Sequence, residues 1–467
     1  MPQPNTEQAI PQFRCLFRSM VLDPALLYAH VLTAEIVGQV VLQEVGQTED
    51  RIFTPLVTLA TFLFQILSND HSCRNAVARL RAWRVAQGLP PCSLKTGGYC
   101  RARQRLPETL LPRLVRAVAG GLQERAPADW HFHGRPVVNV DGTCVSMPDT
   151  TANQKAYPQH FRQKRGCGFP MARIVVLLSL ATGAVLDLAV APWSGKLTGE
   201  HALLRGLRDR LRRGDILLGD SYYSSYEEVA ALLGMGVDVL MRQHGGRPTD
   251  FRRGQKLGRE DHLVEWQRGR QRRSWMSLLV FHRLPRSVTM RELRVRIDKK
   301  GFRTKQFVVV TSLLDPVAYP AKELAGLYRA RWHAELDIRS IKTVMQMDVL
   351  RCKTPEMVRK EIWGHALVYN LLRGVIAEAA YRKGVQPRGL SFQGARQVLK
   401  GFRAELASAT ESEAEVLRTD ALAAIAEERV GERPDRYEPR ARKRREKMYP
   451  RLQITRRLAR KRLERAS

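Results

Sequence analysis

The chain has 467 residues, enough for roughly two to four domains with cores of their own. Lys and Arg number 78 against 46 Asp and Glu, a formal net charge of +32, and 44% of the residues are hydrophobic. The apolar share excludes a disordered chain; the charge points to a polyanion as partner, nucleic acid first, although a ribosomal or membrane-surface protein carries a similar excess.

The opening MPQPNTEQAIPQFRC has no apolar run behind a basic one and does not read as a secretory signal. The longest apolar stretches, such as Ile174–Leu180, are too short to span a bilayer, so no membrane role is expected. The chain reads as cytoplasmic and nucleoid-associated. Its seven cysteines (Cys15, Cys73, Cys92, Cys100, Cys144, Cys167 and Cys352) are odd in number and scattered, which favours reduced thiols over a disulfide framework or a zinc site.

Residues 1–130 read as a helical N-terminal domain, with apolar periodicity through Ile52–Leu67, Cys73–Trp83 and Leu110–Leu122. Within it, Arg101, Arg103 and Arg105 crowd behind a Gly97-Gly98 turn. They fit either a helix–turn–helix gripping a phosphate backbone or a solvated helix face. From Pro136 the pattern changes to strands. Val137–Val140 ends in Asp141, and Ile174–Leu180 and Ala184–Ala191 are joined by the hairpin signal Ala181-Thr182-Gly183. A helix over Glu200–Leu211, a strand over Asp215–Leu218 reaching Asp220, a helix over Tyr226–Leu233 and a strand over Val237–Met241 follow. That order predicts a mixed sheet with helices on its faces across 131–243.

Residues 244–320 interrupt it as a β-rich insertion, with strands expected at Trp275–Phe281, Leu293–Ile297 and Phe307–Leu314. Helices resume at Ala321, giving a second part of the core (321–380) and a helical C-terminal region (381–467). The stretch Arg440–Ser467 carries 13 Lys and Arg against two Glu and reads as a flexible basic arm.

On the helix starting near Ala321, Tyr328, Arg331, Glu335 and Lys342 stand at i, i+3, i+7 and i+14. At about 100° per residue they share an arc of about 60°, with Arg339 close to it. One carboxylate among cations suits a face meeting DNA, with the cations on phosphates and the acid on a metal ion; a surface helix with Arg331–Glu335 and Glu335–Arg339 ion pairs fits as well. Asp141 and Asp220, each at a strand end, would emerge at one sheet edge if their strands are neighbours. Three carboxylates converging there make a hard oxygen site for Mg²⁺ or Mn²⁺, and two ions about 3.5–4 Å apart suit phosphoryl transfer. Asp149, Asp187 and Asp215 read as turn residues or helix caps. His201, at a helix start, fits an outer position of the site or a plain helix terminus. Ser194-Gly195-Lys196 lacks phosphate-loop spacing, and Cys144 has no evident base.

The run Tyr328-x2-Arg331-x3-Glu335-x6-Lys342 resembles the signature of the IS-four family of bacterial insertion-sequence DDE transposases. So do Asp141 in VVNVDGT, Asp220 in LLGDSYYSS, the stretch Leu350–Glu361 and Tyr369-Asn370, over roughly residues 50–450. The resemblance implies an α/β fold: an RNase H-like catalytic core with a β-rich insertion, plus helical N- and C-terminal parts. It implies Asp141, Asp220 and Glu335 as catalytic metal ligands for two Mg²⁺ or Mn²⁺ ions, and Tyr328, Arg331 and Lys342 on phosphates. The implied partners are double-stranded DNA (terminal inverted repeats and target) and a second copy in a synaptic homodimer. It also implies an insertion Trp stacking on a flipped base at a hairpin intermediate; Trp275 and Trp266 are the candidates, and a core role for Trp275 stands beside that reading. An RNase H-like nuclease without strand transfer, or a non-catalytic transposase-derived DNA-binding protein, would share much of this pattern.

Overall fold

The computed structural model describes residues 6–45, 52–296, 306–431 and 452–465. Six helices come first: α1 (Thr6–Met20), α2 (Ala34–Val45), α3 (Pro55–Leu67), α4 (Cys73–Ala86), α5 (Gly97–Arg105) and α6 (Leu110–Glu124). Two of their starts are chemically marked. Thr54 accepts from Val57 N ahead of Pro55, whose missing N–H is harmless in the first turn, and Ser72 accepts from Asn75 N at α4. The Gly97-Gly98 pair does not turn the chain; it forms the first turn of α5. There Gly98 lies against Phe53, where a Cβ would stand 3.3 Å from the ring, so close packing offsets glycine's poor helix propensity.

The central layer follows: β1 (Val137–Ser146), α7 (Thr151–Ala156), β2 (Met171–Ser179), β3 (Val185–Pro192), α8 (Glu200–Leu207), β4 (Ile216–Gly219), α9 (Tyr226–Gly234) and β5 (Asp238–Arg242). The strands lie in the order β3-β2-β1-β4-β5, the first three antiparallel and β1, β4 and β5 parallel. This is the RNase H-like arrangement that the sequence led us to expect. The β2–β3 hairpin turns through Gly183 at φ +78°, which glycine adopts without steric cost.

The insertion contributes β6 (Gln255–Gly258), β7 (Asp261–Gln267), α10 (Leu278–Arg283), β8 (Ser287–Arg296) and β9 (Gln306–Thr311). Strand β9 pairs antiparallel with β5, and β8, β7 and β6 continue outward, so the described strands form one nine-stranded sheet. The stretch Trp275–Phe281 is not a strand. Ser277 caps α10 there, and Leu278, Leu279 and Val280 are exposed rather than packed on a sheet. The expected strand Leu293–Ile297 belongs to β8 as far as Arg296; Ile297 lies outside the described residues.

The chain closes with α11 (Ala321–Ala330), α12 (Trp332–Arg339), a π-helical turn (Ser340–Val344), α13 (Pro355–Lys383), α14 (Phe392–Ser408), α15 (Glu411–Glu427) and α16 (Arg456–Glu464). The last of these replaces part of the expected flexible arm, with Thr455 capping it; residues 440–451 and 466–467 lie outside the described residues.

Helix α13 runs through the middle of the molecule and is buried on all sides over most of its length. It packs on α3, α6, α15 and β3. Small residues let it pass: a Cβ on Gly364 would stand 2.4 Å from Ile66 Cδ1. One apolar core joins α1–α6 and α13 to one face of β1–β3, a second lies under α8 and α9 on the opposite face, and a third seats α11 on β4, β5, β8 and β9. The four residues of β4 are all buried, and each fully buried Leu or Ile there contributes about 1.5–3 kcal/mol. Among the described residues, no helix is long and apolar enough to cross a membrane.

Candidate active site

The register of β1 against β4 places the two aspartates. Their parallel pairing ends at Asn139↔Leu218, so Asp141 and Asp220 each stand two residues past the same rung, at the same sheet edge. Asp141 does not end its strand, as the short β-branched run suggested. β1 continues to Ser146 because β2 pairs with it along its length, Asp141 opposite Val176. Past its last partner on β4, one flank of β1 is therefore open beside Asp141.

Glu335 comes from α12 and meets this edge through Arg331. The Arg331 guanidinium donates to Glu335 Oε1 at 2.6 Å, and its Nη1 lies 3.9 Å from Asp141 Oδ2. Burial pushes the Asp141 carboxyl up to about 6; the Gly142 N–H and Arg331 oppose this, while Asp220 and Glu335 add to it. Burial works against the charge on Arg331, but Glu335, Tyr328 and Asp141 outweigh it and hold the guanidinium more firmly protonated than usual. The three acids thus share one electrostatic site, with an arginine between two of them.

The remaining signature residues divide. Lys342 donates to Thr143 Oγ1 (3.1 Å) and Cys144 O (2.8 Å), tying the π-helical turn to β1 just beyond Asp141. Arg339 is exposed. Tyr328 is not on an open face: it is 8% exposed, packs on Phe307, and its hydroxyl pKa is raised by burial. The single continuous helix assumed for the 60° arc is in fact α11, α12 and a π-helical turn, which rotates Lys342 relative to Tyr328.

Two neighbours escaped the sequence reading. Glu200, at the start of α8, lies against the backbone of Gly142, where a Cβ would stand 2.4 Å from the Glu200 carboxyl carbon. Tyr223, fully buried, donates to Glu200 Oε2 at 3.0 Å; burial first, then Glu200, Asp141 and Asp220, raise its phenol far above the ordinary range. The Gly after Asp141 and the paired tyrosines after Asp220 were the available signals. His201 stacks on Tyr222 at 4.4 Å, with Nδ1 3.8 Å from Glu228 Oε1, and burial lowers its pKa.

Elsewhere the structure redistributes the candidates. Arg103 points inward, donating to Gln65 Oε1 at 3.0 Å under the Phe62 and Tyr99 rings, and is shut off from any external phosphate; Arg101 and Arg105 are exposed. Trp266 is buried, donating to Glu292 Oε1 at 3.0 Å, whereas Trp275 is 37% exposed with Arg205 stacked 3.8 Å over its ring. Trp275 and His201 line opposite sides of a cleft of about 940 Å³ between α8 and the insertion. Asp187 is no cap: it is buried on β3, salt-bridged to Arg116 (3.0 Å) and Arg210 (2.9 Å). Asp149 and Asp215 keep local roles, accepting from Gln154 Nε2 and Arg212 N at 2.8 Å.

The site is held from behind by Asp337, two residues after Glu335. Its buried carboxylate accepts from Tyr369 (2.8 Å), Arg373 (2.5 Å) and Arg388 (3.0 and 2.9 Å). Burial opposes its charge, and the two guanidiniums more than reverse that, so its pKa is lowered. Asn370 accepts from Val185 N (2.7 Å) and donates to Val185 O (2.9 Å), fixing α13 to β3. The Tyr369-Asn370 pair noted in the sequence thus joins the glutamate helix to the sheet.

As donors, three carboxylates suit a hard divalent cation. Among the described residues, however, no three Asp, Glu, His or Cys side chains are gathered as a ready metal cage. The Arg331 guanidinium supplies the positive charge between Asp141 and Glu335.

A sheet in the order β3-β2-β1-β4-β5 is that of an RNase H-like core, here with two aspartates at one edge and a glutamate on a following helix. The model of the transposase DDE domain matches residues 132–371, just over half of the chain, and the chain belongs to that family. It is 31% identical over 299 residues to the transposase InsG of insertion sequence element IS4 from Escherichia coli strain K12, a match covering 62% of this chain and 64% of that protein. The match thus spans less than two thirds of that relative's length. The transposase for insertion sequence element IS421 from Escherichia coli is 32% identical over 69 residues, 15% of this chain and 19% of that one. A solved piggyBac transposase synaptic complex with hairpin DNA aligns over 90% of this chain and 86% of its own, at 10% identity and a TM-score of 0.42.

Proposed function

We propose that the protein is a DNA transposase that hydrolyses the phosphodiester at each transposon end and joins the freed 3′-OH to target DNA. The observation that carries this is the placement of Asp141 and Asp220 level at the β1–β4 edge, with Glu335 linked to Asp141 through Arg331. Family membership and the +32 charge support it.

In this reading Asp141, Asp220 and Glu335 hold Mg²⁺ or Mn²⁺. When bound, such ions stabilise charge on the attacking and leaving oxygens in phosphoryl transfer. The chain's own residues do the rest. Asp141, less acidic than usual, is poised to exchange its proton for a cation near neutral pH. Arg331 lets go of Glu335 to take a phosphate, and the exposed Arg339 reaches the same strand. Lys342 keeps β1 and the π-helical turn in register while this happens. Glu200, braced by Tyr223, packs against the backbone of Gly142, the residue after Asp141.

Arg101 and Arg105 serve non-specific backbone contact on the N-terminal helices. Trp275, freed from Arg205, would stack on an unpaired base beside the cleft, which allows a hairpin intermediate. Two copies pairing two ends, in the nucleoid, complete the proposal.

The test is cleavage of terminal-repeat duplex with Mg²⁺, with strand-transfer products scored on a supercoiled target. Asp220→Ala is expected to abolish both products while leaving duplex binding intact. Full cleavage by that variant rejects the assignment of the acids; cleavage without joining makes the protein a nuclease.

A further inference from the structure

A cavity of about 340 Å³ opens between α1, α3, α4 and α14. Nothing in the proposed reaction uses it. Its floor is apolar, with Leu26, Phe64 and Leu372, and its rim is basic.

Arg396, Lys400 and Arg403 stand at i, i+4 and i+7 on α14, one face of that helix, and Arg18 faces them from α1. The three cations on α14 are poorly neutralised. Among the described residues, Arg403 and Lys400 have no hydrogen-bond or ion-pair partner. Arg396 donates to neutral acceptors, Val344 O and Asn69 Oδ1 (2.8 Å). Arg79, just behind, likewise donates only to Ser19 O (3.0 Å) and Ser19 Oγ (2.8 Å).

Arg18 lies 3.3 Å from Asp23 and 3.4 Å from Glu411, yet its Nε and Nη2 are buried without a hydrogen bond. The two acids on the rim are already engaged. Asp23 accepts from Arg418 (2.8 Å) and Ala25 N (3.0 Å), and Asp70 from the Ser72 amide and hydroxyl. Burial first, then Arg79 and Arg396, lower the Arg403 guanidinium to about 10, the mark of a cation short of a counter-charge. Stacking like charges around a half-enclosed space is costly unless an anion enters it.

We propose that this cavity is a binding site for a phosphoryl anion, gripped by Arg403, Lys400 and the Nη2 of Arg18. A tetrahedral phosphoryl group, monoanionic in a DNA backbone and largely dianionic as free phosphate or a monoester, supplies several acceptors for the orphan donors, and charge-assisted bonds of this type are the strong ones. The anion comes either from a DNA backbone phosphate or from a free phosphate or phosphate monoester. Because the cavity joins α1, α3 and α4 to α14, its occupant would brace the N-terminal helices against the C-terminal ones.

The probe is inorganic phosphate, titrated into the full chain by calorimetry at constant ionic strength with chloride as replacement. Saturable binding is expected, about tenfold weaker in Arg403→Gln and weakened in Lys400→Gln, but unchanged in Arg460→Gln on the exposed α16. Circular dichroism verifies folding; Lys400, already exposed, keeps the test alive if Arg403→Gln fails to fold. A second arm measures an unrelated DNA duplex. Extra loss in Arg403→Gln over Arg460→Gln assigns the phosphate to DNA; loss of phosphate binding alone assigns it to a free anion. No saturable binding, or equal losses in all three variants, overturns the proposal.

Discussion

Replacing Asp337 with alanine tests whether the helix carrying Glu335 is anchored as described. The carboxylate is fully buried and joins Tyr369, Arg373 and Arg388; the two arginine side chains are 6% and 11% exposed. Its removal leaves two guanidiniums facing each other in a low dielectric with no counter-charge. Breaking a buried ion pair from one side costs about 3–5 kcal/mol, and this network should sit in that range. Urea unfolding followed by tryptophan fluorescence reads the loss. If the variant remains folded, α12 should shift, and a misplacement of about 1 Å lowers turnover by roughly a hundredfold. A loss under about 1 kcal/mol, with cleavage at the parental rate, would refute the anchoring argument.

Two further outcomes depend on protons. The Asp141 carboxyl is raised to about 6 in the folded chain, so the folded state binds more protons than the unfolded one between about pH 4 and 6, and stability falls as pH rises through that window. Asp141→Asn should therefore stabilise the metal-free protein at pH 7.5 by about 1–3 kcal/mol while abolishing cleavage; a melting temperature that drops instead contradicts this. His365 behaves oppositely. Burial first, and then His71 stacked 6.0 Å away, lower it to about 3, so stability is full above about pH 6.5 and drains away on acidification. Between pH 6.5 and 5 the loss should be about 2 kcal/mol, and His365→Leu should flatten that slope; an unchanged slope assigns the acid sensitivity elsewhere.

Much of the fold was legible because its elements carry strong local signals. Apolar periodicity marked α3, α4 and α6, β-branched runs marked β2, β4 and β5, and Gly183 marked the hairpin. What failed locally was decided by long-range partners. β1 looked four residues long because polar residues follow Val140, yet pairing with β2 carries it on to Ser146. Gly97-Gly98 looked like a turn because its reason for being small, the Phe53 ring, lies far back in the chain. Arg103 reads as an exposed helix residue and Asp187 as a turn residue or cap because the groups that enclose them, Gln65 for the one and Arg116 and Arg210 for the other, are distant in sequence. At the site, the edge shared by Asp141 and Asp220 followed from strand order. The place of Arg331 between two acids required the side chains themselves.

The unbroken sheet also has a mechanical meaning. Because β9, β8, β7 and β6 are stitched to β5 rung by rung, the insertion is cantilevered from the core instead of swinging on a tether. Four strands at about 4.8 Å spacing give an arm of roughly 19 Å whose tip keeps a fixed offset from Asp220. A groove-bound duplex meeting both would be gauged by that offset, so lengthening the arm by one hairpin ought to move the point of cutting along the DNA by a set distance.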